Sequence, residues 1–159
     1  MKNVTDIQEL IKNQEKLCIF VDYNHFAENF ERIHTTEARE SRDFRILQNF
    51  LDCDFLKAHV ITKKNTPQKA INKLETKFPR LEFFKYDKNK FQDICSAHKD
   101  DYTFVYIGNN EDIINMSDFQ DGYTILLDWA LKQKNKKVDF QLSITELLDL
   151  FVETNNLCL

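Results

Sequence analysis

Leu17-Cys18-Ile19-Phe20-Val21-Asp22-Tyr23-Asn24 decides the fold. Five apolar residues run without a break and stop at a carboxylate. A strand with one face in water alternates apolar and polar residues. An unbroken run marks a strand covered on both faces, the pattern of a parallel sheet. The acid that ends it marks the rim of the sheet, because a carboxylate is costly to bury unless it is paired or used.

Similar strands recur outward from this one. Phe55 to Thr62, Leu81 to Phe84, Thr103 to Ile107 ending at Gly108, and Thr124 to Leu127 read as strands, with a short sixth over Val138 to Leu142. Helical spacing fills the gaps. Thr5 with Gln8 fits a capping box, with Ile7, Leu10 and Ile11 on one face. Phe44, Leu47, Phe50 and Leu51 form a second apolar stripe. Thr66 before Pro67 reads as a helix start ahead of Ala70, Ile71, Leu74 and Phe78. Phe91, Ile94, Cys95 and His98 mark another helix, and Ile113, Ile114 and Phe119 a short one. Asp121-Gly122 reads as a turn, and Ser143 with Glu146 as a capping box for a closing helix through Leu147, Leu148 and Phe151. Strands alternating with helices predict an α/β fold: a three-layer α/β/α sandwich around a mostly parallel, Rossmann-like sheet.

The composition fits one such domain over residues 1–159. Hydrophobic residues make up 42% of the chain, with 14 Phe, which excludes a disordered polymer. The net charge of −4 argues against a surface that grips nucleic acid or anionic membrane as a whole. Two Gly and two Pro exclude a Gly-rich phosphate loop. Cys18, Cys53, Cys95 and Cys158 form no CxxC pair and read as reduced thiols. His34, His59 and His98 have no metal-site spacing. With no hydrophobic leader and no long apolar run, the expected location is cytoplasmic.

Ligands of open parallel sheets sit beyond the carboxyl ends of the strands, where strand order reverses. The predicted ends deliver Asp22, Tyr23 and Asn24; Thr62, Lys63 and Lys64; Lys85, Lys88 and Lys90; and Gly108, Asn109, Asn110, Glu111 and Asp112. Carboxylates suit a hard cation such as Mg²⁺. A hydroxyl and an ammonium suit phosphate oxygens. Blander readings accompany each residue: Asp22 as a turn cap, Thr62 as an ordinary strand end, Lys88 as a solvated lysine, Asp112 as a helix-dipole partner.

The order of these groups resembles the haloacid dehalogenase (HAD) superfamily of phosphohydrolases. Phe20-Val21-Asp22-Tyr23-Asn24 is similar to its first motif, Val60-Ile61-Thr62-Lys63-Lys64-Asn65 to its second, and Val105-Tyr106-Ile107-Gly108-Asn109-Asn110-Glu111-Asp112-Ile113 to its fourth. Lys88, with Lys90 as a substitute and Lys85 nearby, stands where the family's lysine is expected. The resemblance runs from about Leu17 to Phe151. Only about forty residues separate Asp22 from Thr62, so it implies a capless member. It further implies Asp22 as nucleophile, Thr62 and Lys88 as phosphoryl-binding groups, and Mg²⁺ held by Asp22, Asn24, Asn109 and Asp112. The substrate would be a phosphorylated compound.

Two positions depart from the family. Asn24 stands for the acid that protonates the leaving group, and an amide cannot transfer that proton. Asn109 stands for a metal-binding carboxylate. Slow turnover is one expectation. A catalytically inactive protein that binds a ligand or protein partner is a second. A NYN- or PIN-like metal-dependent nuclease, which also begins with a strand ending in Asp-x-Asn, is a third. Membranes and nucleic acids are not expected partners.

Overall fold

The computed structural model describes residues 2–22, 55–62, 64, 66–79, 81–108, 117, 120–127, 138–143, 146–147 and 149–151. The predicted helix around residues 44–51 lies outside them, as do Ile113, Ile114 and Phe119, the residues that mark the short predicted helix, although Ser117 between them is helical. The described elements are α1 (Val4–Lys12), β1 (Leu17–Asp22), β2 (Leu56–Thr62), α2 (Gln68–Lys77), β3 (Glu82–Lys85), α3 (Lys88–His98), β4 (Thr103–Gly108), β5 (Gly122–Leu127) and β6 (Phe140–Leu142).

The six strands form one sheet in the order β3-β2-β1-β4-β5-β6, with every pairing parallel. The chain starts at the centre, moves outward through β2 to β3, then returns past β1 to β4. This reversal of direction sends successive crossovers to opposite faces of the sheet. α2, between β2 and β3, contributes Ile71 and Leu74 to the core on one face, beside Ile7 and Ile11 of α1. α3, between β3 and β4, contributes Phe91 and Cys95 to the core on the other. The α/β, Rossmann-like reading holds.

Strand alternation explains the two cores. Leu17, Ile19 and Val21 face the first, and Cys18 and Phe20 the second. All five are 0% exposed, as the unbroken apolar run requires. Phe20 centres the second core. Its ring centroid lies 4.8 Å from Phe91, 5.1 Å from His59, 5.8 Å from Tyr106 and 6.1 Å from Phe104. Aromatic pairs at such distances add roughly 0.5–1.5 kcal/mol beyond the area they bury.

Several element ends differ from the sequence reading. α1 starts at Val4 with Asn3 as its cap, and the Asn3 amide donates to the Asp6 carboxylate at 2.8 Å. Asn outranks Thr as a cap, so the helix begins ahead of the predicted Thr5–Gln8 box. α2 is flanked by Pro67, whose carbonyl accepts from the Ala70 amide at 3.0 Å; Thr66 is not its cap. β3 is shifted one residue, to Glu82–Lys85. β6 is the shorter Phe140–Leu142. The Ser143–Glu146 box forms as expected, with bonds of 3.1 and 3.2 Å.

Gly122 belongs to β5 and not to a turn, paired with Phe104 of β4. A Cβ there would lie 2.5 Å from the Phe104 carbonyl oxygen and 2.9 Å from its Cβ. Only a residue without a side chain lets the strands approach this closely. Lys2 secures the same place: its ammonium donates to the Gly122 carbonyl at 2.6 Å and lies 3.4 Å from Asp121 and 3.5 Å from Asp139. Asp139 in turn accepts from the Thr124 amide at 2.9 Å.

Candidate functional site

The reversal of strand order falls between β1 and β4. Beyond the Val21–Ile107 pair, Asp22 and Gly108 are the last residues of those two strands. Asp22 lies in register with Ile61, and Thr62 closes β2 one residue later. Asp22, Thr62 and Gly108 therefore end three adjacent strands at one rim. Asn24, Asn109 and Asp112 lie outside the described residues, and Asp22 is described by its backbone place alone.

Thr62 is 1% exposed and tied twice to its neighbour. Its hydroxyl donates to the Phe84 carbonyl at 3.4 Å, and its carbonyl accepts from the Tyr86 amide at 2.9 Å. The first bond is long and weak. Lys85 is its register partner on β3. Lys88 is the first residue of α3, exposed, past the end of the sheet's edge strand. Lys90 lies in the same helical turn, its ammonium 5.3 Å from the centre of the Phe84 ring.

The rim is fixed by a cap that the sequence reading missed. The Asp87 carboxylate accepts from the amides of Asn89 and Lys90 at 2.9 and 3.2 Å. This starts α3 immediately after β3 and sets where Lys85, Tyr86, Lys88 and Lys90 stand. Asp87 two residues ahead of Asn89 was the available signal.

A second polar group lies in the aromatic core. His59 is 2% exposed, with Nδ1 3.0 Å from a Glu82 carboxylate oxygen. The approach is close but poorly aligned for a hydrogen bond, and Nε2 has no partner among the described residues. The His59 ring holds the Glu82 carboxyl below its ordinary range against the opposing effect of burial. His98, 6.4 Å away between ring centres, is pushed down by burial and then by Lys57 and His59. No sequence spacing predicts this group, because it depends on the β2–β3 register that sets His59 opposite Glu82.

The thiols of the second core, Cys18 and Cys95, are buried. Burial pushes Cys18 far up and Cys95 to about 11. Burial raises Tyr106 as well, and its hydroxyl donates to the Gln120 carbonyl. Among the described residues, no group of three or more His, Cys, Asp or Glu is arranged to hold a metal, and no helix is long and apolar enough to cross a membrane.

The chain matches no family model and no curated protein.

Proposed function

We propose that this chain is a capless HAD-like phosphohydrolase with Asp22 as nucleophile, slowed by Asn24 and Asn109. One observation carries the reading. The order reversal of the all-parallel sheet lies between β1 and β4, the strands that end in Asp22 and Gly108. These residues open the two segments that bear the acids and amides of the resemblance, and this is where open α/β sheets take ligands.

Asp22 attacks the phosphorus of a phosphate ester. An O–P bond forms as the bond to the leaving oxygen breaks, and water then cleaves the aspartyl-phosphate to inorganic phosphate and free Asp22. Thr62 exchanges its long bond to Phe84 for one to a phosphoryl oxygen. Lys88 supplies a positive charge from the same rim, with Lys90 next to it. Asp22, the Asn24 backbone carbonyl, Asn109 and Asp112 would offer oxygen donors alone, the chemistry that suits Mg²⁺. When bound, Mg²⁺ neutralises charge on the transferring group.

Asn24 has no proton to give, so the leaving group must depart unaided. Good leaving groups are therefore favoured, and p-nitrophenyl phosphate should turn over faster than an alkyl phosphate. General acid–base help is worth roughly 10²–10⁴-fold. Asn24→Asp should raise alkyl phosphate hydrolysis within that range and p-nitrophenyl phosphate hydrolysis less, and Asp22→Asn should abolish both. Absence of hydrolysis in wild type, Asn24→Asp and Asn24→Asp/Asn109→Asp alike would overturn the enzyme reading. Cleavage of single-stranded RNA that needs Asp22 and Mn²⁺ would replace it with a nuclease.

A further inference from the structure

The edge strand β3 carries a groove on its open side. One part, of about 380 Å³, is lined by Glu75, Glu82, Phe83, Phe84 and Lys90 among others. The part nearer the strand's carboxyl end, of about 470 Å³, adds Lys64, Gln68, Lys85 and Tyr86. That volume lies in the range of small-ligand pockets. Charge changes along the groove, with Glu82 at the start of β3 and three lysines around its end.

The basic end has two marks of a ligand site. Neither the Lys64 nor the Lys85 ammonium has an ion-pair or hydrogen-bond partner among the described residues. Of the two acids that line this part, Asp87 already accepts two helix amides, and Glu75 is shared with the acidic part of the groove. Tyr86, 37% exposed, is the only exposed large hydrophobic residue among those described. Its backbone is held by Thr62 on one side, and the Asp87 cap follows it on the other. An exposed ring carried on a backbone held between two elements, beside unpaired ammonium groups, is the combination that stacks a base and holds its phosphates.

We infer that this groove binds a nucleoside diphosphate, its base on Tyr86 and its phosphates on Lys64, Lys85 and Lys90. Lys85 is the register partner of Thr62, and Lys64 follows Thr62 by two residues, so the phosphate end lies next to the β2 terminus. On the phosphohydrolase reading, the terminal phosphoryl group is the one passed to Asp22. The departing nucleoside monophosphate leaves through a phosphate oxygen and needs no proton from residue 24. The binding itself does not rest on that reading.

Calorimetric titration of the whole protein with ADP, pyrophosphate and adenosine tests the inference. ADP should bind more tightly than pyrophosphate or adenosine. Tyr86→Ala should weaken ADP about 5- to 150-fold, the range for loss of one stacked base. Tyr86→Phe should restore binding, and Lys64→Gln/Lys85→Gln should weaken ADP and pyrophosphate alike. Pyrophosphate binding equal to that of ADP, an unaffected Tyr86→Ala, or no heat with ADP at millimolar concentration would each overturn it. Asp22→Asn should still bind ADP. Binding without hydrolysis would thus count against the phosphohydrolase and leave the groove standing.

Discussion

Gly122→Ala is the sharpest test of the sheet. The added methyl would lie 2.5 Å from the Phe104 oxygen, 2.9 Å from its Cβ and 3.0 Å from its carbonyl carbon. Carbon atoms in ordinary contact sit about 3.5–4.0 Å apart. All three atoms belong to the backbone or Cβ of a paired strand, so no rotamer change relieves the clash. β5 must move from β4 by more than half an ångström. Overpacking of this kind costs roughly 1–3 kcal/mol. Weakening one or two ladder hydrogen bonds adds about 1 kcal/mol each. The lower freedom of the unfolded Ala chain returns about 0.4–1 kcal/mol. The net expectation is a loss of about 1–4.5 kcal/mol, which for a chain of this length lowers Tm by roughly 2–18 °C. Thermal melts followed by far-UV circular dichroism, with urea titrations at constant m, give the value. A fall of less than about 2 °C with an unchanged transition would refute the close approach of the two strands.

Phe20→Ala removes the ring at the centre of the second core and should cost about 3–5 kcal/mol in urea unfolding; a loss under about 1 kcal/mol would deny that packing. Glu82 has a lowered pKa, so its stabilising effect is present above the ordinary carboxylate value and fades as pH falls through the lower folded-state value. Wild type should therefore exceed Glu82→Gln in Tm at pH 6–7 and lose that margin progressively as pH falls below the ordinary carboxylate value; a constant margin would remove His59 as the cause. The side chain is 72% exposed, so the margin should be small. Cys18 and Cys95 should resist iodoacetamide in the native protein at pH 8 and react in urea, as located by peptide mapping; native labelling of Cys18 at the unfolded rate would contradict its burial.

The fold was legible where one physical cause dominated. An unbroken apolar strand must be covered on both faces, and Leu17 to Val21 are. Ser143 and Glu146 sit at capping-box spacing, and they bond reciprocally. The reading erred where tertiary contact outweighs local preference. Gly122 looks like a turn residue in isolation, and only the proximity of Phe104 explains it as strand. Asn3 and Thr5 both suit a helix start, and the reach of Asp6 decides between them. The rim was legible in part, because topology alone brings the ends of β1, β2 and β4 together. The His59–Glu82 pair and the Tyr86 groove were not, since one depends on strand register and the other on which strand forms the sheet's edge.

The most direct test of the phosphoryl site at Asp22 needs no substrate. Thermal unfolding is recorded with Mg²⁺ alone and with Mg²⁺ plus beryllofluoride, an aspartate-bound mimic of a phosphoryl group, for wild type and Asp22→Asn. A ligand at 100 times its Kd adds about 2.7 kcal/mol of stability, or roughly 5–10 °C here. The account predicts such a rise in wild type and none in Asp22→Asn. No rise in either protein, or an equal rise in both, would contradict it.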